Sequence, residues 1–267
     1  MKAVAIDQPE RTNVLGVGIS AINLESAVEI ISEAVATPAF QGYVTVTGVH
    51  GVVESQKDEE LLQIHNRSFL STPDGMPMVW LSRWYGRGQV DRVYGPDLML
   101  EILDSGRQQG MKHYLYGGAE GVAQELKRKL QSRLPGLQIV GACTPPFRVL
   151  NELEESQFIE ELQREKPHYV WVGLSTPKQE RFMCDLLNKY PKLTDAWGHG
   201  LCMLGVGAAF DFHSGRVKQA PRWIQRSGLE WFYRMLNDPK RLAKRYVYAN
   251  SYFLVYLFLQ LFGLKKY

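Results

Sequence analysis

The chain has 267 residues, 45% hydrophobic and 22% charged, an ordinary globular composition with enough length for one large α/β domain or a domain with an appendage. Its three cysteines, Cys143, Cys184 and Cys202, are odd in number and lack metal-type spacing. That argues against a disulfide framework and a zinc site, and for reduced thiols in a cytosolic compartment. The net charge is only +3, but residues 216–267 carry +9 and the remainder −6. A basic end on an acidic body calls for an anionic partner: phosphate, nucleic acid or membrane surface.

In chain order, residues 1–13 read as a loose lead-in without the apolar core of a signal peptide. Residues 13–19 (NVLGVGI) predict a first strand, and Asn23 a cap for a helix over Leu24–Ala36, whose apolar positions have helical spacing. Residues 42–47 (GYVTVT) are rich in β-branched residues and predict a second strand. Helical pattern follows over Val49–Ser55 and 59–68. Next comes FLSTPDGMPMVW, where a short apolar lead meets the turn composition Thr72-Pro73-Asp74-Gly75, so Asp74 is expected on a loop after a strand. An isolated Pro-Asp-Gly also fits a plain turn.

Pro96 and Asp97 suit the start of a helix over 98–108. Residues 112–116 (KHYLY) predict a strand, and Gly117-Gly118 separate it from a helix over 122–134. Such glycines let backbone N–H groups approach a phosphate, or simply make a tight turn. With Gly121 they do not form G-x-G-x-x-G, so a dinucleotide fingerprint is not supported. A strand over 137–142 and an amphipathic helix over Glu152–Glu165 follow.

The stretch 169–181, YVWVGLSTPKQER, predicts a buried parallel strand, a turn and a new helix, with Thr176 as cap, Pro177 at its first position and Gln179 three residues past the cap. Such turns lie at the carboxyl ends of strands, where open α/β sheets bind ligands. Lys178 adds a charge to a helix start already suited to phosphate, though a well-capped structural helix reads the same way. Residues 201–212 (LCMLGVGAAFDF) look strand-like with Asp211 near the end. The alternation predicts a parallel α/β sheet flanked by helices over 1–215. Residues 222–237 and 239–264 predict helices that carry the basic residues and many aromatics. The apolar run 252–264 is short of the roughly 20 residues a spanning helix needs, so a basic, aromatic appendage lying in the membrane interface is expected. Packing on the body or in an oligomer interface is the alternative.

Together the segments TPDG, RVYGPDL, YLYGGAEGVA, VWVGLSTPKQE and GVGAAFDFHSGRVKQAPRWIQRSGLEWFYRMLNDPKRLAKRY resemble the WecG/TagA/CpsF family of bacterial glycosyltransferases, from about Val14 to Tyr246. The resemblance implies a Rossmann-like body with a helical C-terminal appendage. It implies inverting transfer of a sugar (N-acetylmannosamine, its uronic acid or glucose) from a UDP-sugar to a polyprenyl-diphosphate-linked saccharide. The protein would sit peripherally on the cytoplasmic membrane face, without a metal or other cofactor. On this resemblance Asp74 is the catalytic base, Thr45 a pocket threonine and Arg92 the arginine before the G-x-D-L segment. Gly117, Gly118, Lys178, Gln179 and Glu180 belong near the nucleotide sugar, with Asp211 a further substrate-binding candidate. Arg234 and Arg241 are matched to diphosphate-binding tail arginines. Two positions depart from the family pattern. Thr47 stands where many members carry Asn, which bears on donor or acceptor identity, and Lys244 stands where others have Arg, with Arg245 beside it.

The chemistry agrees with one carboxylate acting as base and with cations and helix starts stabilising the leaving UDP. Two other classes are weighed: a nucleotide-binding oxidoreductase, against which the missing fingerprint counts, and a non-enzymatic membrane-surface adaptor using the basic tail. A nucleic-acid partner is not expected, because the tail aromatics are interleaved with long aliphatics. A homo-oligomer, or a monomer closed by its own tail, would each complete the site.

Overall fold

The computed structural model describes residues 6–267; the first five residues of the expected lead-in lie outside it. The single strand expected over 13–19 is instead a hairpin: β1 (Arg11–Val14) pairs antiparallel with β2 (Val17–Ser20), Val14 opposite Val17. Leu15 and Gly16 both take positive φ, 53° and 82°, as a two-residue hairpin turn of matching twist requires. Leucine disfavours that conformation, but its side chain is fully buried, and Asn13 Oδ1 accepts the Gly16 amide at 2.7 Å. A run of strand formers hides a turn whose first residue is chosen for burial.

The body then alternates. Helix α1 (Leu24–Ala36) starts in a capping box between Asn23 and Ser26 and leads to β3 (Gln41–Thr47). Two helices, α2 (Val49–Ser55) and α3 (Glu59–Arg67, capped by Asp58), precede β4 (Leu70–Pro73). Helices α4 (Met76–Trp84) and α5 (Gly95–Ser105) carry the chain across to β5 (Lys112–Gly117). There follow α6 (Val122–Arg133), β6 (Gln138–Cys143), α7 (Glu152–Glu165), β7 (Tyr169–Gly173), α8 (Lys178–Lys189) and β8 (Leu201–Gly205). The stretch 201–212 is not all strand. After Gly205 it turns into the short helix α9 (Ala209–His213), so Asp211 lies on a helix, where the Phe210 and Phe212 side chains are buried.

Strands β3 to β8 form one parallel sheet in the order β4-β3-β8-β7-β5-β6. The central strands β7 (YVWVG) and β8 (LCMLG) are nearly continuous apolar runs because both faces are covered, whereas β3 and β4 also carry buried Thr and Ser. On one face α1, α5, α6 and α9 bury Ile31, Leu98, Leu126 and Phe210; on the other, α3, α7 and α8 bury Ile64, Phe158 and Met183. All six strands run the same way, so their carboxyl ends share one edge of the domain.

The expected helix over 222–237 is broken in two, α10 (Arg222–Arg226) and α11 (Glu230–Asn237). Gly228 makes the break at φ +80°, and a Cβ there would stand 2.6 Å from the Trp80 ring. Helix α12 (Pro239–Leu261) runs back over the body, its N-terminus capped by Asp238. Phe253 of α12 joins Val14, Leu15 and Val17 of the hairpin, Val52 of α2 and Met78 of α4 in a third apolar cluster. The Gln260 side chain accepts from Leu15 N at 2.9 Å and donates to Asn13 O at 3.2 Å.

Candidate active site

A cleft of about 600 Å³ opens at the carboxyl ends of β3, β4, β7 and β8. This is where the chain, having moved outward from β3 to β4, crosses to the other half of the sheet, the usual place for a ligand in an open α/β sheet. Val46 and Gly48, Asp74 and Gly75, Ser175 and Thr176, and Gly205 to Ala208 form its floor. Its far wall comes from the tail: Gln225, Glu230, Trp231 and Arg234, then Arg245, Asn250 and Phe253 of α12. One chain therefore supplies both sides. Trp80 and Leu81 of α4 face Leu254 and Leu257 of α12 across the same cavity, giving it an apolar portion beside its charged one.

Asp74 stands just past β4. Its amide donates to Thr47 O at 3.1 Å, continuing the β3–β4 ladder by one step and fixing the backbone that presents the carboxylate. Asp74 Oδ1 is buried and has no hydrogen-bond partner. Burial pushes this carboxyl above the ordinary aspartate range; Arg92 opposes the shift and Glu230 adds to it. Arg92 Nη2 lies 3.7 Å from Asp74 Oδ1 and 2.7 Å from Glu230 Oε2, while its Nε donates to the Asp74 carbonyl. The guanidinium also lies 4.1 Å from the centre of the Tyr94 ring, and the Tyr94 hydroxyl donates to Glu230 Oε1 at 2.7 Å. Arg234 stands over the Phe212 ring at 5.3 Å. On the α2 side His50 is held down to about 4 by burial and by Arg245, so it is neutral at neutral pH.

The structure brings together Asp74, Arg92, Gln179 and Arg234 of the residues singled out from the sequence. Gln179 is buried, donates to Gly205 O at 3.0 Å, and leaves Oε1 without a partner. Thr45 and Thr47 do not line the cleft. They point to the other side of β3, into a buried polar cluster in which Thr47 Oγ1 meets Thr45 at 3.1 Å, Ser71 at 2.9 Å and His65 Nδ1 at 3.3 Å. Glu180 lies under the floor and accepts from Thr176 and Gln179, so Thr176 bonds a side chain and not the helix start it was expected to cap. Burial raises the Glu180 carboxyl.

Gly117 and Gly118 sit outside the cleft wall, at the end of β5, where Gly118 N donates to Gly173 O at 3.0 Å. Lys178 is also outside, 4.1 Å from the exposed Phe147 ring. Asp211 uses its carbonyl to close the turn to Arg216 and Val217. Arg241 pairs with Asp238 at 2.6 Å and Lys244 is exposed; Arg245, the next residue, is the one that enters the cleft. Glu230, Tyr94 and His50 also line the cleft and are not among the residues the sequence points to. The first turn of α11 was a signal for Glu230, the single acid between Arg222 and Asn237. Among the described residues no three His, Cys, Asp or Glu side chains gather as a metal site would need.

Comparison with known proteins gives the family. The sequence profile described as the glycosyl transferase WecG/TagA/CpsF family matches residues 12–267. A protein of Bacillus subtilis (strain 168), an N-acetylglucosaminyldiphosphoundecaprenol N-acetyl-beta-D-mannosaminyltransferase, is 29% identical over 185 residues, which is 69% of this chain and 67% of that protein. Its namesake from Bacillus spizizenii (strain ATCC 23059 / NRRL B-14472 / W23) is 30% identical over 169 residues, 63% of this chain and 61% of the relative. About a third of each relative thus lies outside the match.

Proposed function

The chain belongs to the WecG/TagA/CpsF glycosyl transferase family, and from that premise we propose that it moves a sugar from a UDP-sugar to a hydroxyl of a polyprenyl-diphosphate-linked saccharide, with inversion. One observation carries this reading: the Asp74 carboxylate, whose buried Oδ1 accepts no hydrogen bond, shares a cleft with Arg92, Arg234 and Arg245 and with an apolar wall made by α4 and α12. Asp74 takes the proton of the acceptor hydroxyl as its oxygen attacks the anomeric carbon. The bond from that carbon to the β-phosphate breaks, and UDP leaves with the electron pair. The arginines meet the developing phosphate charge, and the partly apolar lining of the cleft strengthens that interaction relative to open water. The apolar wall suits the first isoprenoid units of the acceptor. The names of the two relatives make N-acetylmannosamine the first donor to test. The family assignment leaves the oxidoreductase alternative without support.

We also infer peripheral attachment to the inner membrane face. No helix among the described residues is long and apolar enough to cross a membrane. The tail nevertheless exposes Trp223, Leu236, Val255 and Phe262 beside its cations.

The deciding experiment measures UDP release from a panel of UDP-sugars, with and without a lipid-diphosphate-linked sugar acceptor in detergent, with EDTA present. Acceptor-dependent release with one donor names the sugar, and its persistence in EDTA supports a metal-independent reaction. No release with any donor, together with no UDP binding by calorimetry, overturns the reading and favours a membrane adaptor.

A further inference from the structure

Arg92 is the centre of a charge cluster fed from two ends of the chain. Its guanidinium is held on one edge by the Asp74 carbonyl and on the other by Glu230 Oε2, and its side chain is only 13% exposed. Glu230 is itself buried in the first turn of α11, with its second oxygen satisfied by the Tyr94 hydroxyl. The tail carboxylate, at 2.7 Å, thus holds Arg92 more closely than Asp74 does at 3.7 Å. A bidentate Asp74–Arg92 pair would occupy the lone pairs that a base must offer. Glu230 prevents that pairing, and Asp74 Oδ1 is left without a hydrogen bond.

We propose that Glu230 is a positioning residue: it draws the Arg92 guanidinium away from Asp74 and so makes the availability of the Asp74 carboxylate depend on the docking of the C-terminal segment. The proposal rests on Asp74 acting as the base. The charged or titratable groups facing Asp74 are Arg92 and Tyr94 from the loop before α5 and Glu230 and Arg234 from α11. His50 of α2 and Arg245 of α12 line the same cavity. Removing the Glu230 charge takes away a repulsion and frees Arg92, and both changes make Asp74 easier to ionise and poorer as a base.

The test compares wild type, Glu230→Gln and Glu230→Asp in the full chain. Two readouts are used: the pH profile of acceptor-dependent UDP release, and the titration of the Asp74 carboxyl followed by carbon-13 NMR, assigned with Asp74→Asn. Glu230→Gln is expected to move the acid limb of kcat and the Asp74 titration down by about one pH unit, and to lower kcat about tenfold with a smaller change in donor KM. Glu230→Asp keeps the charge but draws it back by one methylene, and should move both part of the way. Superimposed Asp74 titrations in a folded Glu230→Gln protein overturn the proposal. If that variant does not fold, an unmoved titration in Glu230→Asp does the same. Absence of turnover in the wild type would defeat the transferase reading alone, because the NMR titration still reports whether Glu230 governs Asp74.

Discussion

At the scale of single residues, Asp74 and His65 show burial acting on titratable groups in opposite senses. Asp74→Asn is expected to lower kcat by about 10²- to 10⁴-fold, the usual share of a general base, while UDP-sugar binding measured by calorimetry stays close to wild type. An equal loss of both would make Asp74 structural. Because burial raises the Asp74 carboxyl, activity should fall on acidification at a pH above the ordinary aspartate range. His65 is fully buried and held down to about 4. The unfolded chain takes up that proton first, near pH 6.5, so the contribution of neutral His65 is complete above that pH and is lost as pH falls toward about 4. The gap corresponds to about 3 kcal/mol. Urea midpoints between pH 7 and pH 4 should drop more steeply for wild type than for His65→Gln. The place of Asp74 just past a strand was legible from Asp-Gly after a short apolar lead, although Thr72 and Pro73 are the last residues of β4, and its candidacy as base came from the family resemblance. The pair Arg92–Glu230 was not, because 137 intervening residues carry no local trace of it. Strand alternation puts Thr45 and Thr47 together on the side opposite Val46, but only the packed sheet shows that Val46 has the cleft side.

At the scale of elements, the parallel sheet was readable because short runs of strand formers alternate with stretches of helical pattern along the chain. The errors fall where tertiary contact overrides local pattern: the Leu15-Gly16 turn, the α9 helix after Gly205, and the break at Gly228. Gly117 shows how such a contact limits a residue. Its φ is +129°, and an added Cβ would stand 2.7 Å from the Gly173 backbone on the neighbouring strand. Gly117→Ala should therefore destabilise the protein by at least about 2 kcal/mol in chemical denaturation, whatever its effect on turnover. A variant of unchanged stability with weakened UDP binding would instead point to a direct phosphate contact.

At the scale of the whole molecule, an acidic body carries a basic tail that both walls the cleft and exposes apolar side chains to the outside. Binding to anionic lipid vesicles should therefore weaken with salt. Lys240 and Lys244 are both exposed, and replacing the pair by Gln should cost about 30-fold in vesicle affinity, at about 1 kcal/mol for each lysine near the surface. Sedimentation with vesicles at two ionic strengths tests this. Binding insensitive to both changes would mean that the tail contacts protein only.

The clasp between Gln260 and the hairpin has a further consequence during synthesis. Leu15 and Gln260 are 245 residues apart. At roughly 5 to 20 residues per second, a ribosome takes on the order of 10 to 50 seconds to travel between them. Throughout that interval Val14, Leu15 and Val17 lack the Phe253 side chain that later packs with them. The nascent hairpin should be cleavable by protease until α12 has emerged, and it is the segment on which a ribosome-associated chaperone would act.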